Sequence, residues 1–289
     1  MKAKLIYRLV TRSILGPIVY EKIQFRRHTG YWCDLKSPKT FNEKICCRKV
    51  SRDMKDAVML QDKVAVREYV KKTVGDEYLT KCFQILEEPE DLDYNALPDS
   101  FVVKGNDGCG PESLLIVNDK KKFTEKDIRE NISRILRRHD NPLKRFYLYS
   151  NEWWYGMIKP KVIIEEHLLP GTGNVPLDYK FFVFHGKVQY IQVDFGRFVN
   201  HTRSLYDTEW RRQNFKLGYP VGPDAARPTC LEEMIRIAEQ LGSNYDFVRV
   251  DLYQVEDERI VFGEITIAPS LGHARFEPVS WDRVFGDLW

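Results

Sequence analysis

Asp251 and Glu264 are the residues whose type and spacing first suggest chemistry. They lie in FVRVDLY and IVFGEITIA, two alternating runs rich in Val, Ile, Phe and Tyr, joined by the polar stretch QVEDER. That is the pattern of a β-hairpin. A turn centred on Asp257 and Glu258 places Asp251 opposite Glu264 and Arg249 opposite Thr266. It also puts Val248, Val250 and Leu252 on one face with Val261, Ile265 and Ile267. Directly opposed residues have Cβ atoms roughly 4.5–5.5 Å apart, where like charges repel unless something neutralises them. A divalent cation meets that need, because Mg²⁺ accepts one or two carboxylates and fills its shell with water and phosphate oxygens. On this hairpin alone, a solvated face of mixed charges is an equal alternative.

A phosphate-binding element would have to accompany such a metal. FVVK, from Phe101, is a short buried-strand pattern ending in Lys104, and GNDGCGPESLLIV continues as a glycine-rich turn and a second apolar run. Gly105, Gly108 and Gly110 permit close backbone approach and positive φ. Successive N–H groups in such a turn form an anion nest, with Lys104 at its root. A Walker A loop has its lysine after the glycines and leads into a helix; here the lysine precedes them and a strand follows. An ordinary glycine-rich hairpin is the competing reading. KVIIEEHL, from Lys161 to Leu168, is a strand ending in two acids, suited to adenine and ribose or simply to a solvated strand end. DYKFFVFHGKVQYIQVD reads as two strands joined at His185-Gly186-Lys187, with Asp178 and Lys180 alternating to one side. The cationic segment holding Arg197, His201, Arg203, Arg211 and Arg212 is expected to close over an anionic substrate as a lid. No order of Ser or Cys with His and an acid stands out for nucleophilic catalysis.

The elements that position these residues are legible from periodicity. SPKTFNEKI is a cap leading into a helix, with Glu43 in the first turn; DKVAVREYVKKTVG is a helix stopped at Gly75, with Lys63 and Arg67 one turn apart. CFQILEE is a strand, and EEPEDLDYNALPDS is an acidic, proline-bounded connector. FTEKDIRENISRILRRH is an amphipathic helix burying Ile128, Ile132, Ile135 and Leu136, and LEEMIRIAEQLGSNYD is another, stopped at Gly242. Trp153 and Trp154 are expected in the core.

Composition bounds the rest. With 289 residues, 43% hydrophobic and 30% charged, the chain is a soluble globular protein of two or three lobes. A net charge of +3 is too mild to argue for nucleic acid. The six cysteines show no CxxC or zinc spacing and read as reduced cytosolic thiols. Residues 2–27 carry Lys2, Lys4, Arg8, Arg12, Lys22, Arg26 and Arg27 against one acid, Glu21, and Gly16-Pro17 ends or kinks a helix there. This segment either packs on its own domain or makes peripheral contact with an anionic membrane surface. The expected location is cytoplasmic, at most at the inner face of the membrane.

Taken together, FVVKGNDGCG, VIIEEHL, DYKFFVF, FVRVDLY and FGEITIAPSLG resemble the ATP-grasp superfamily. PKTFNEK, DKVAVREYV, EWWYG, DYKFFVFHGK and RVDLY with GEIT resemble its TupA-like branch, associated with bacterial surface polysaccharide. The resemblance spans about residues 30–289. It implies an α+β ATP-grasp fold of three lobes, with ATP between two α+β halves: an N-terminal lobe over 1–96, a central lobe over 97–168 and a C-terminal lobe over 169–289. By the same resemblance, ATP is contacted by Arg67, Lys104, Asn106, Gly108, Gly110, Glu165, Glu166, His167, Leu168, Asp178 and Lys180. Mg²⁺ is held by Asp251, Glu264 and Thr266. Arg249, Lys104 and Lys180 act on the transferring phosphoryl group, and Arg197, His201 and Arg203 meet substrate. Most of the superfamily has Glu-x-Asn where this chain has Glu264-Ile265-Thr266, so a hydroxyl replaces an amide carbonyl at the metal.

The reaction implied is amide or peptide bond formation between a carboxylate and an amine through an acylphosphate. The carboxylate would belong to a uronic acid or acidic amino acid of a capsule or cell-surface polysaccharide. A sugar or glycan kinase on the same fold is the first alternative. A glycosyltransferase using the Asp91-Leu92-Asp93 triplet is the second, and a nucleotide-binding scaffold without turnover is the third.

Overall fold

The computed structural model describes residues 2–108, 111–140, 145, 147–168, 177–196, 200–255 and 259–289. In chain order the helices are α1 (Lys2–Thr29), α2 (Phe41–Ser51), α3 (Ala57–Gln61), α4 (Ala65–Thr73), α5 (Glu125–Leu136), α6 (Tyr147–Ser150), α7 (Leu231–Gly242) and α8 (Ser280–Asp287). The strands are β1 (Cys82–Leu86), β2 (Phe101–Gly105), β3 (Leu114–Val117), β4 (Val162–Glu166), β5 (Asp178–Phe184), β6 (Lys187–Phe195), β7 (Thr202–Tyr206), β8 (Lys216–Leu217), β9 (Phe247–Gln254), β10 (Ile260–Thr266) and β11 (Phe276–Glu277). The architecture is α+β. Met1–Lys55, Tyr147–Trp153 and Leu177–Trp289 form one compact unit, and Asp56–Phe146 with Trp154–Pro176 form another.

The first unit is built on an antiparallel sheet of order β10-β9-β5-β6-β7. One face takes the apolar stripe of α7, whose Leu231, Met234, Ile237, Ala238 and Leu241 are buried against β5, β6 and β9. Each of these side chains except that of Ala238 contributes roughly 1.5–3 kcal/mol of burial. Gly242, the last residue of that helix, lets it pack closely, because a Cβ there would lie 2.5 Å from Val183 Cγ1. The other face is divided. At one end Phe182, Phe184 and Phe247 meet Phe41 of α2 and Phe285 of α8, with ring centroids 4.9–6.0 Å from that of Phe41; at the other end the same face carries charge.

Glu21 explains why residues 1–55 group with the C-terminal part, unlike the three consecutive stretches expected from sequence. Its Oε1 accepts from Lys49 Nζ at 2.7 Å and from Cys46 Sγ at 3.2 Å, and lies 2.7 Å from His273 Nε2; Oε2 accepts from Asn151 Nδ2 at 2.6 Å. Burial opposes ionisation of Glu21, yet Lys49 and His273 hold its carboxyl at about 2. A buried carboxylate needs such partners, and they come from α2, the end of α6 and the chain after β10. α2 is capped as expected, and the structure shows the cap to be a reciprocal box between Thr40 and Glu43. α1 is interrupted at Gly16, φ 75°, just before Pro17.

The second unit has the antiparallel sheet β1-β4-β2-β3. Phe101, Val103, Val162 and Ile164 point to α5 and bury its Ile128, Ile132 and Ile135, which leaves Val102, Lys104, Ile163 and Glu165 on the opposite face. Trp154 is fully buried, as expected. Asp91 and Asp93 accept from the backbone N–H groups of Glu88 and Ala96, so this triplet closes local turns.

Candidate active site

The hairpin forms with the expected pairs, Asp251 opposite Glu264 and Arg249 opposite Thr266, although by a different route. Nearer the turn, Phe262 pairs with Leu252 and Val261 with Tyr253, and the register shifts between Phe262 and Glu264. Gly263 is thus the extra residue of a β-bulge. A Cβ at this position would approach Tyr253 Cε2 to 2.9 Å and the Asp251 carbonyl to 3.0 Å. One expectation is corrected: Val261 lies across from Tyr253, on the charged side, while Phe262 takes the apolar side. Residues 256–258, the centre of the expected turn, lie outside the described residues.

Register carries the charged row across the sheet. Lys180 of β5 lies between Asp251 of β9 and Gln192 of β6, Asp178 pairs with Asp194, and Asp194 pairs with Arg203. The Lys180 ammonium is 2.6 Å from Asp178 Oδ2 and in short contact with Asp251. Arg249 donates to both oxygens of Asp251 at 2.7 Å, to Thr266 Oγ1 at 3.0 Å and to Glu264 Oε1 at 3.3 Å; Thr266 donates to Glu264 at 3.0 Å. The guanidinium therefore meets the repulsion that pointed to a divalent cation. Burial pushes the Asp251 carboxyl up, to about 6, against Arg249 and Lys180, with Asp178 and Glu264 pushing the same way.

Lys180, expected to touch phosphate, is buried and held by two carboxylates here. Arg203, expected to meet substrate, instead donates Nε and Nη2 to Asp194 at 2.7 and 3.2 Å and Nη1 to the Leu217 carbonyl at 2.7 Å. Burial opposes ionisation of Asp194, and the Arg203 bonds and charge together with the charge of Lys180 bring its carboxyl to about 2. His201 sits 3.3 Å from Asp194 and against the Tyr219 ring. Arg211 pairs with Asp207 and Glu209, and Arg212 with Asp224. The expected cationic lid is thus largely neutralised by local acids, and its key residue sits on a strand. Arg197 lies outside the described residues. Asp194 escaped the sequence reading, although alternation in VQYIQVD places it on the side of Gln192; its importance comes from pairing with Arg203, which no local pattern reveals.

A second cluster lies in the other unit. Lys104 is in short contact with Glu165 Oε1, Thr80 donates to Glu165 Oε2 at 2.8 Å, and Arg67 is 3.6 Å from that oxygen while bonding Thr80 Oγ1 at 3.0 Å. Burial opposes ionisation of Glu165, but Lys104 outweighs it, assisted by Thr80 and Arg67, and lowers the carboxyl below its ordinary range. Glu165, expected to read the base, is instead the buried counter-ion of two cations. Glu166, His167 and Leu168 follow, half-buried.

The glycine loop also departs from expectation. Asn106 is fully buried; its amide donates to Asp62 at 2.9 Å and the Lys159 carbonyl at 3.1 Å and accepts from Lys161 N–H at 2.7 Å. It braces the loop. Gly105 and Gly108 do not adopt the positive φ expected of them. Their lost side chains make room for Ile135 and for Arg138, whose Nη1 would lie 1.7 Å from a Cβ at Gly108. The Gly108 carbonyl accepts from Lys63 Nζ at 2.5 Å. Gly110 lies outside the described residues.

The donors fit the groups expected of them. Asp251, Glu264 and Thr266 offer the hard oxygens that Mg²⁺ accepts, and Asp178, Asp194, Asp251 and Glu264 outnumber Lys180, Arg203 and Arg249. In the other unit, Lys104 is about one third exposed, and buried His167 Nδ1 has no hydrogen-bond partner among the described residues, a vacancy suited to a ligand group.

Residues 43–289 match the family model described as TupA-like ATPgrasp. No curated protein matches. Among solved structures, the chain is similar to D-alanine–D-alanine ligase from Bacillus anthracis, with 16% identity, TM-score 0.48, and coverage of 80% of this chain and 65% of that one. The corresponding ligase from Coxiella burnetii gives 12%, 0.44, 73% and 48%. N5-carboxyaminoimidazole synthetase from Staphylococcus aureus, complexed with ADP, gives 15%, 0.43, 73% and 45%. The chain spans less than two thirds of each of these proteins.

Proposed function

The chain belongs to the TupA-like ATP-grasp family, and on that premise we propose that it is an ATP-dependent carboxylate–amine ligase. The observation that carries the reading is the charged row on β9, β10 and β5, in which Asp251, Glu264 and Thr266 present oxygen donors beside Arg249. In this proposal Asp251 and Glu264 hold Mg²⁺, which when bound neutralises and orients the phosphate oxygens of ATP. Lys180 and Asp178 keep the Asp251 carboxylate in place. Arg249, already charged and aimed along the row, stabilises the phosphoryl group in transfer. Lys104, backed by Glu165, contacts ATP phosphates, with Arg67 beside it; His167 and Leu168 meet the adenine.

The reaction proceeds in two steps. A substrate carboxylate oxygen attacks the γ-phosphorus and releases ADP, and an amine then attacks the acyl carbon, expelling phosphate and losing a proton. The family resemblance supports a uronic acid or acidic amino acid of a capsule or surface polysaccharide as the carboxylate. The test is ADP release from the full chain with acidic sugars and amines supplied separately and together. ADP release that needs both, and a hydroxamate when hydroxylamine replaces the amine, supports the ligase; ADP release with an alcohol alone refutes it.

A further inference from the structure

α1 is amphipathic in the wrong sense for a helix that only packs on its own unit. At about 100° per residue, Ile6, Tyr7, Val10, Ser13 and Ile14 share one arc, and that arc faces solvent: Ile14 is 75% exposed, Tyr7 59%, Val10 50% and Ile6 48%. Past the break at Gly16, Ile18 and Val19 continue the exposed apolar surface at 52% and 47%. The opposite arc holds the charge. Arg12 Nε donates to Asn151 Oδ1 at 2.8 Å, and Arg8 lies over the Tyr149 ring. Turning half-exposed guanidinium groups toward the protein while isoleucines face solvent is the reverse of what water selects, so something other than water meets this face.

Charge identifies what does. The one acid of α1, Glu21, is buried on Lys49, whereas Arg26 and Arg27 are exposed and Lys22 is half-exposed. The solvent-facing surface of α1 among the described residues is therefore apolar with cations at its C-terminal end, and it offers no acid to a second copy's arginines. An anionic lipid surface supplies both an apolar layer for the isoleucines and negative headgroups for the arginines. No helix of the described residues is long and apolar enough to cross a membrane. The helix also precedes residue 43, where the family match begins.

We propose that α1 seats this protein on an anionic bilayer, lying in the interface with Ile6, Val10, Ile14 and Ile18 toward the acyl chains. The test is sedimentation of the full chain with vesicles of phosphatidylcholine alone and of phosphatidylcholine with about a third phosphatidylglycerol. Binding is expected only to the anionic vesicles, weakened by salt. Ile14→Glu with Ile18→Glu should lower it by tenfold or more, on the order set by removing two apolar anchors. Both positions are exposed, so an unchanged melting temperature is expected for that variant. Arg26→Ala with Arg27→Ala should also weaken binding. A wild-type chain that stays in the supernatant with anionic vesicles overturns the proposal. So does self-association that the Ile14→Glu, Ile18→Glu variant abolishes, which would assign the face to a second copy.

Discussion

The two charged clusters are opposite in design. In the four-stranded sheet, Lys104 and Arg67 surround one carboxylate, Glu165; in the five-stranded sheet, Asp178, Asp194, Asp251 and Glu264 outnumber Lys180, Arg203 and Arg249. A cluster with surplus cations attracts phosphate, and one with surplus carboxylates attracts a metal ion. In both, the buried members are pinned by opposite charge, so the surplus is held in fixed geometry before any ligand arrives. That is the preorganisation electrostatic catalysis requires.

Removing the surplus should have the largest effect. Asp251→Asn is expected to lower ADP release by a hundredfold or more, the order expected for losing a metal-ion contribution, and to raise the Mg²⁺ concentration needed for half-maximal rate. Lys180→Met should separate scaffold from chemistry. It leaves Asp178 and Asp251 without their shared buried cation, and breaking such a pair typically costs about 3–5 kcal/mol, readable as a lower urea midpoint. On the other side of the comparison, Lys104→Met should raise KM for ATP by about tenfold, the worth of one charge-assisted bond, with a smaller change in Mg²⁺ dependence. Equal shifts of both in both variants would show that the two clusters do not divide the work.

Asp194 sharpens the comparison through pH. Its folded carboxyl at about 2 lies below the unfolded value of about 3.9. The stabilisation is therefore complete above the unfolded value and is lost as pH falls through about 2, with a total of about 2.6 kcal/mol. Urea midpoints of wild type and Asp194→Asn should converge over that acid range. The smallest effect is expected at Thr266. Thr266→Ala should cost about 1 kcal/mol of stability by removing its bonds to Arg249 and Glu264, whereas Thr266→Asn, with a better neutral oxygen ligand, should tighten Mg²⁺ binding several-fold in a titration.

Elements and pairings fixed by local pattern were legible. Alternation placed the hairpin, periodicity placed α4, α5 and α7, and a cap signal with Glu43 in the first turn announced α2. What the sequence could not disclose depends on residues far apart in the chain. The correct opposition of Asp251 and Glu264 follows from a bulge at Gly263, not from the turn centre that first suggested it, and Val261 reports the difference by facing the charged side. Arg203 looked available for substrate because its partner Asp194 sits on a neighbouring strand. Asn106 and Gly108 looked like a phosphate cradle because the Asp62, Lys161 and Arg138 groups that occupy them come from other segments. α8 was not singled out at all, since its Trp281 and Phe285 matter only against rings from distant segments, among them Phe41, Phe182, Tyr190 and Phe215.

The buried carboxylate of Glu21 also sets an order of assembly during synthesis. His273 follows it by 252 positions, a delay on the order of tens of seconds at ribosomal rates. Cys46 and Lys49 emerge only 25 and 28 positions later and Asn151 after 130, so α2 holds the charge until the chain reaches Asn151. Meanwhile Asp56–Phe146 with Trp154–Pro176 has its whole sequence available and can fold. The split unit must wait for His273, so nascent chains truncated before it should contain one finished unit and one unfinished one.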